Sequence, residues 1–138
     1  MNAVSATFRR EVSALPEIFD LVARFFSGAG GEQSLRHTVE FVLEEIFTNS
    51  VKYNPTGNSG IGISLVRESD ELKVTLTDFD SEPFDIRTEG PPVDPFLPLE
   101  EREPGGLGVH LVRRMMDRIE YDYADRVSTI TLIKSLGK

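Results

Sequence analysis

Apolar and polar positions divide the chain into segments with two different periods. Val4, Ala6 and Phe8 alternate with more polar neighbours, the period-2 pattern of a strand with one buried face. Pro16 then stands where a first helical turn tolerates proline, and Ile18, Leu21, Val22, Phe25 and Phe26 recur at helical spacing. The run Gly28-Ala29-Gly30-Gly31 stops that helix. A second helix is predicted over residues 32–53. It carries two apolar stripes, Leu35, Val39, Val42 and Ile46 beside Leu43, Phe47 and Val51, so it is buried around much of its circumference.

Turn formers at 54–60 close that helix, and period 2 returns in Ile61, Ile63 and Leu65 and again in Leu72, Val74 and Leu76. The short link at 68–70 joins these two runs as a hairpin. Residues 79–104 hold six of the eight prolines and show neither period. A structureless run of that length in a small domain is usually functional or mobile. A third helix is predicted over 107–116, followed by strands near 119–123 and 127–133. Strand, two helices, two strands, long loop, helix and two strands predict an α+β fold. Its form is a two-layer sandwich, a mixed, mainly antiparallel sheet of about five strands with three helices on one face.

Composition narrows what such a fold does. At 138 residues the chain fits one domain, 1–138, with a lid loop at about 79–106. Its 39% hydrophobic content and the lack of any apolar run near the roughly 20 residues of a transmembrane helix predict a folded globule. Residues 1–10 lack a signal-peptide core, which predicts a cytoplasmic protein. No cysteine is present, so disulfide frameworks and thiolate metal sites are excluded, and the two histidines lie too far apart in sequence to suggest a structural zinc. A net charge of −8 disfavours a long phosphate-backbone interface, so direct nucleic-acid binding is not expected. Between Asp78 and Glu103 nine acids face two bases, a net of −7 that accounts for nearly all the charge.

Two segments carry candidate chemistry. Glu45 and Asn49 are four apart on the second helix, each three residues beyond a member of the Val42/Ile46 stripe, which sets the pair at the edge of the buried face. A carboxylate there suits a general base, and an amide oxygen suits a hard ligand to magnesium; a solvated polar pair near a helix end is the plainer alternative. Gly105-Gly106-Leu107-Gly108 opens the third helix with backbone N–H groups free of side-chain obstruction, at the positive end of the helix dipole. That is an anion site in principle, nucleotide phosphate being the expected anion, or else a tight turn into the helix. Asp78 ends an alternating strand where the long loop begins, a place from which a carboxylate could accept a hydrogen bond from an adenine amino group; a strand-end acid in solvent is the plainer alternative. Lys52, in the last turn of the second helix, is placed either to meet a phosphate or to complement the helix dipole. Thr129 stands ready to support the adenine pocket through its hydroxyl, although strand propensity explains it equally well. His110 reads as structural or surface.

Taken jointly and in this order, these segments resemble the ATP-binding fold of gyrases, histidine kinases, heat-shock chaperones and mismatch-repair ATPases. Within it they are most similar to the small single-domain branch of bacterial anti-sigma factors that are also serine kinases. The resemblance runs from the first strand to Lys134 and is strongest over residues 45–54 and 97–112. It implies Glu45 as the general base that activates a serine hydroxyl and Asn49 as the magnesium ligand. It further implies Asp78 as the reader of the adenine amino group, Gly105, Gly106 and Gly108 as the phosphate-lining glycines with Leu107 among them, and Thr129 beside the adenine. ATP and Mg2+ are the implied cofactors; a sigma factor, an anti-anti-sigma protein and a second copy of the chain are the implied partners. One departure stands out. The family's Asp-x-Gly is here Asp78-Phe79-Asp80, which brings a side chain and a negative charge to the glycine position. The alternative function is therefore a non-catalytic module that keeps the fold, binds ATP weakly or not at all, and holds a partner through its acidic segment.

Overall fold

The computed structural model describes residues 2–27, 33–53, 59–68, 70–81 and 106–136. Five strands form one sheet: β1 (Asn2–Phe8), β2 (Ile61–Glu68), β3 (Glu71–Asp78), β4 (Arg118–Ala124) and β5 (Val127–Ser135), in the order β1-β2-β3-β5-β4. Every neighbouring pair is antiparallel. The sheet expected as mixed is thus antiparallel throughout the described residues. Three helices, α1 (Leu15–Phe26), α2 (Gln33–Tyr53) and α3 (Gly106–Met115), complete the two layers.

Register decides which side chains meet. Leu65 lies opposite Val74 and Val74 opposite Leu132, while Ile63, Leu76 and Ile130 form the next row; all six are buried. Onto this face α1 brings Ile18, Leu21, Val22, Phe25 and Phe26, and α2 brings Val39, Val42, Leu43, Ile46 and Phe47. Both predicted stripes of α2 are therefore used, and each large side chain so buried stabilises the fold by about 1.5–3 kcal/mol over its exposed state. The opposite face carries small polar residues, Ser5, Thr7, Ser64, Thr75 and Thr77, around a shallow hollow walled by Phe79. Gly62 lies beside this ring, where a Cβ would stand in van der Waals contact with it at 3.4 Å.

Two local features lie outside the hydrophobic pattern. Between β1 and α1 the chain makes a 3-10 turn, Val12–Ala14, in which the Ala14 amide donates to the Glu11 carbonyl at 2.9 Å. At the other end of the sheet, Ala124 pairs with Val127 across the two-residue turn Asp125-Arg126, whose φ angles are 52° and 66°. Two positive φ values match the tight hairpin turn that follows the twist of its strands, for which asparagine and glycine are the usual residues. No described helix is long and apolar enough to cross a membrane.

Candidate functional site

The α2 edge is built by helical periodicity. Val42 and Ile46 turn into the core, so residues three positions further on lie at its margin: Glu45 is half-buried and Asn49 only 5% exposed. Among the described residues nothing accepts a hydrogen bond from Asn49 Nδ2. Leaving such a group unmet costs about 1–3 kcal/mol in the resting fold. Burial raises the Glu45 pKa, and the neighbouring Glu44 charge adds to the rise. α2 touches both β3 and α3, and so borders the two other predicted parts of the site. Lys52 is exposed in the last turn of α2.

The end of β3 is arranged quite differently. Asp78 continues the buried row of Leu72, Val74 and Leu76 and is itself 3% exposed. Its carboxylate is gripped by the Arg10 guanidinium. Arg10 Nη1 donates to Oδ2 at 3.0 Å and Nη2 to Oδ1, with side-chain exposures of 5% and 4% for the pair. The same guanidinium donates through Nε to the Ser59 carbonyl at 3.2 Å and through Nη2 to the Asp80 carbonyl at 3.3 Å. Arg10 thus ties the end of β1 to the entry of β2 and the exit of β3.

Asp80, which stands where the family pattern has glycine, is held as well. Its amide donates to Asp78 Oδ1 at 3.0 Å, and its own carboxylate receives Arg126 Nε at 2.7 Å. The Ser81 amide donates to the Arg126 carbonyl at 2.8 Å, and Tyr123 donates its hydroxyl to the Ser81 carbonyl at 2.9 Å. The Ser81 and Ser128 hydroxyls lie 3.1 Å apart. The negative charge expected to intrude on the site is therefore turned toward the β4–β5 hairpin and matched by Arg126.

Not every predicted residue reaches this corner. Thr129 pairs with Thr77, which puts it on the helix-free face; the residue opposite Asp78 is Ser128, buried at 5%. The expectation for Thr129 is corrected by a single step of register, because alternate strand residues point to opposite faces. Gly106, Leu107 and Gly108 form the first turn of α3. Gly105 and most of the lid expected at 79–106, residues 82–105, lie outside the described residues. Arg10, Arg126 and Ser128 are the residues that sequence reasoning missed. The only signal for Arg10 was a basic pair, Arg9-Arg10, directly after a strand in an acidic chain.

With this geometry in view, comparison with known proteins becomes informative. Residues 8–134 match the histidine kinase-like ATPase domain. The serine-protein kinase RsbW of Staphylococcus epidermidis is 31% identical over 82% of this chain and 74% of its own length. RsbW of Listeria monocytogenes is 28% identical over 87% of this chain and 82% of its own. Among solved structures, the RsbU and RsbW domains of Rv1364c from Mycobacterium tuberculosis superpose with a TM-score of 0.69 at 11% identity. That match takes in all of this chain but only 33% of the other. The SiaB-SiaC complex of Pseudomonas aeruginosa gives 0.63 at 14% identity, over 95% of this chain and 87% of the other. At these identities the two structures speak for the fold, while the sequence match speaks for descent: the chain belongs to the histidine kinase-like ATPase domain family and is a distant relative of the RsbW serine-protein kinases.

Proposed function

We propose that this protein is an ATP-binding anti-sigma regulatory factor that phosphorylates a serine or threonine on an anti-anti-sigma antagonist protein, and that it works as a cytoplasmic homodimer. The observation that carries this reading is the α2 edge, where a half-buried carboxyl with a raised pKa stands one helical turn from a buried amide with an unmet group. A general base works best with a pKa lifted toward the operating pH, and Glu45 is shifted in that direction. Asn49 offers a hard oxygen ligand, and magnesium in nucleotide sites takes only one or two protein ligands beside the phosphates. The unmet atom is the Nδ2 donor, which suits a phosphate oxygen of the nucleotide, while the amide oxygen of the same side chain is the atom that suits the metal.

The chain's own contributions follow from these positions. Glu45 would accept the proton of the attacking hydroxyl, and Asn49 would hold the metal. The first amides of α3, from Gly106 through Gly108, lack intrahelical acceptors and lie at the positive end of the helix dipole, which suits phosphate. Lys52 would add a cation. Mg-ATP would supply the transferable phosphoryl group, a chemistry in which positioning and charge neutralisation do most of the work. The relationship to serine-protein kinases supports this assignment, as does a structural neighbour whose partner is another protein.

ATP titration with and without magnesium, paired with labelled-phosphate transfer to candidate antagonists, tests it. Glu45→Ala should keep nucleotide binding and slow transfer by roughly 10²–10⁴-fold, the usual range for a general base. Asn49→Ala should remove the magnesium-dependent part of the affinity. Absence of binding at millimolar ATP would overturn the proposal. One observation favours the second reading, a non-catalytic partner-binding module: the carboxylate expected to read adenine is already engaged by Arg10.

A further inference from the structure

We infer that Arg10 is a specificity-determining residue of the nucleotide site, one that removes its preference for adenine by occupying Asp78 from within the chain. The inference rests on the nucleotide-binding reading above and deepens it. Arg10 lies outside every motif that carries that reading.

A carboxylate offers about four acceptor positions on its two oxygens. In Asp78 three of them are filled internally, by Arg10 Nη1 on Oδ2 and by Arg10 Nη2 and the Asp80 amide on Oδ1. The fourth lies on Oδ2, beside a guanidinium already bonded to that oxygen. An adenine 6-amino group is a neutral donor. It would have to compete with a bidentate, charge-assisted pair whose hydrogen bonds are roughly twice as strong as neutral ones.

Burial adds to the imbalance. Both side chains are about 95% buried, so water does not screen the pair, and the guanidinium is fixed on its far side by the Ser59 and Asp80 carbonyls. Four of its five N–H donors are thereby committed within the chain. Recognition of the base amino group is switched off in this arrangement, and selectivity passes to the phosphate and metal side, where α2 and α3 provide the contacts. The site should accept purine triphosphates with little regard to the group at position 6.

Inosine triphosphate is the direct probe, because it carries a carbonyl where ATP carries the amino group. Affinities for Mg-ATP and Mg-ITP should be measured by calorimetry on the full chain and on Arg10→Lys, Arg10→Met and Arg10→Met/Asp78→Leu, the last of which leaves no acceptor at position 78. The full chain should favour ATP by less than about threefold. Arg10→Met frees the carboxylate and should raise that preference to about tenfold or more, through tighter ATP binding with ITP unchanged. In the double variant the preference should fall back, which a purely structural role for Arg10 would not produce. Should Arg10→Met fail to fold, Arg10→Lys carries the test, since one ammonium cannot reproduce the two-pronged grip and an intermediate ratio is expected. A preference for ATP of tenfold or more in the full chain, or equal changes toward both nucleotides in the Arg10 variants, would overturn the inference and leave the nucleotide reading standing. Failure of every protein to bind either nucleotide would sink both.

Discussion

The α2 edge and the Asp78 corner are two walls of one candidate site, yet they are finished to opposite degrees. At the edge, Glu45 sits half-buried with its ionised form disfavoured, and Asn49 is buried with an unmet amide. At the corner, Arg10, Asp78, Asp80, Ser81, Tyr123, Arg126 and Ser128 satisfy one another. A buried group left unmet in a folded chain calls for an explanation, and a functional role at that position is one of the recognised ones. The contrast therefore divides labour. On the proposed reading the edge is left for an incoming group, whereas the Asp78 carboxylate at the corner already has an internal partner.

Breaking the corner should have the largest effect. Removing Arg10 leaves a buried carboxylate without its counter-charge, and losses of about 3–5 kcal/mol are typical of such changes. Arg10→Met should lower the urea midpoint accordingly. Arg10→Met/Asp78→Leu should recover most of the loss, because replacing a whole buried ion pair with apolar groups is often neutral. A loss under about 1 kcal/mol in the single variant would show that the grip adds little to stability, and the comparison would lose one of its two sides.

The edge should respond in the opposite direction. Asn49→Leu removes an unmet donor from a buried position on a helix, so the resting protein should gain about 1 kcal/mol. The same change should abolish the magnesium dependence of ATP affinity, a trade of function for stability expected where a site is kept incomplete. Thermal melting without ligand, followed by calorimetry with Mg-ATP, reads both effects. A drop in stability would mean that Asn49 is structural after all.

What the sequence disclosed follows the same division. Local periodicity revealed both stripes of α2 and the β2–β3 hairpin, and with them the positions of Glu45 and Asn49, because these depend on neighbours within two turns. Contacts at the corner span 68 residues from Arg10 to Asp78 and 46 from Asp80 to Arg126, and no local pattern encodes such pairings. Thr129 shows how fine the remaining step is. Its strand was predicted correctly, but one residue of register separates it from Ser128 and moves its hydroxyl to the opposite face. The glycine position filled by Asp80 looked like a flaw in the site; Arg126 across the hairpin gives it a use.

That hairpin supplies a smaller test. Arg126 holds a positive φ of 66°, a conformation that costs a residue with a Cβ about 1–2 kcal/mol. Arg126→Gly relieves this and gives up an ion pair in which Arg126 is 48% exposed, worth about 0–1 kcal/mol. Glycine's greater freedom in the unfolded chain takes back part of the relief. The net change in stability should stay within about 1 kcal/mol of zero. A larger loss would show that Asp80 is held mainly by Arg126 and that the corner depends on the hairpin.

The smallest effect belongs to Glu45 and depends on pH. Its pKa is raised above the ordinary 4.5, so the folded protein keeps this proton to higher pH than the unfolded chain does. The stabilisation from this group is complete below about 4.5 and is lost as pH rises through the raised folded value. Above that range burial disfavours the ionised carboxylate, and the partial exposure of Glu45 keeps the penalty small. Glu45→Gln should therefore melt slightly above the unmodified protein at pH 7, and calorimetry should show the gap closing as the pH is brought to 4. An unchanged gap would mean that burial does not tune this carboxyl. The edge would then be open rather than poised, and its contrast with the corner would rest on Asn49 alone.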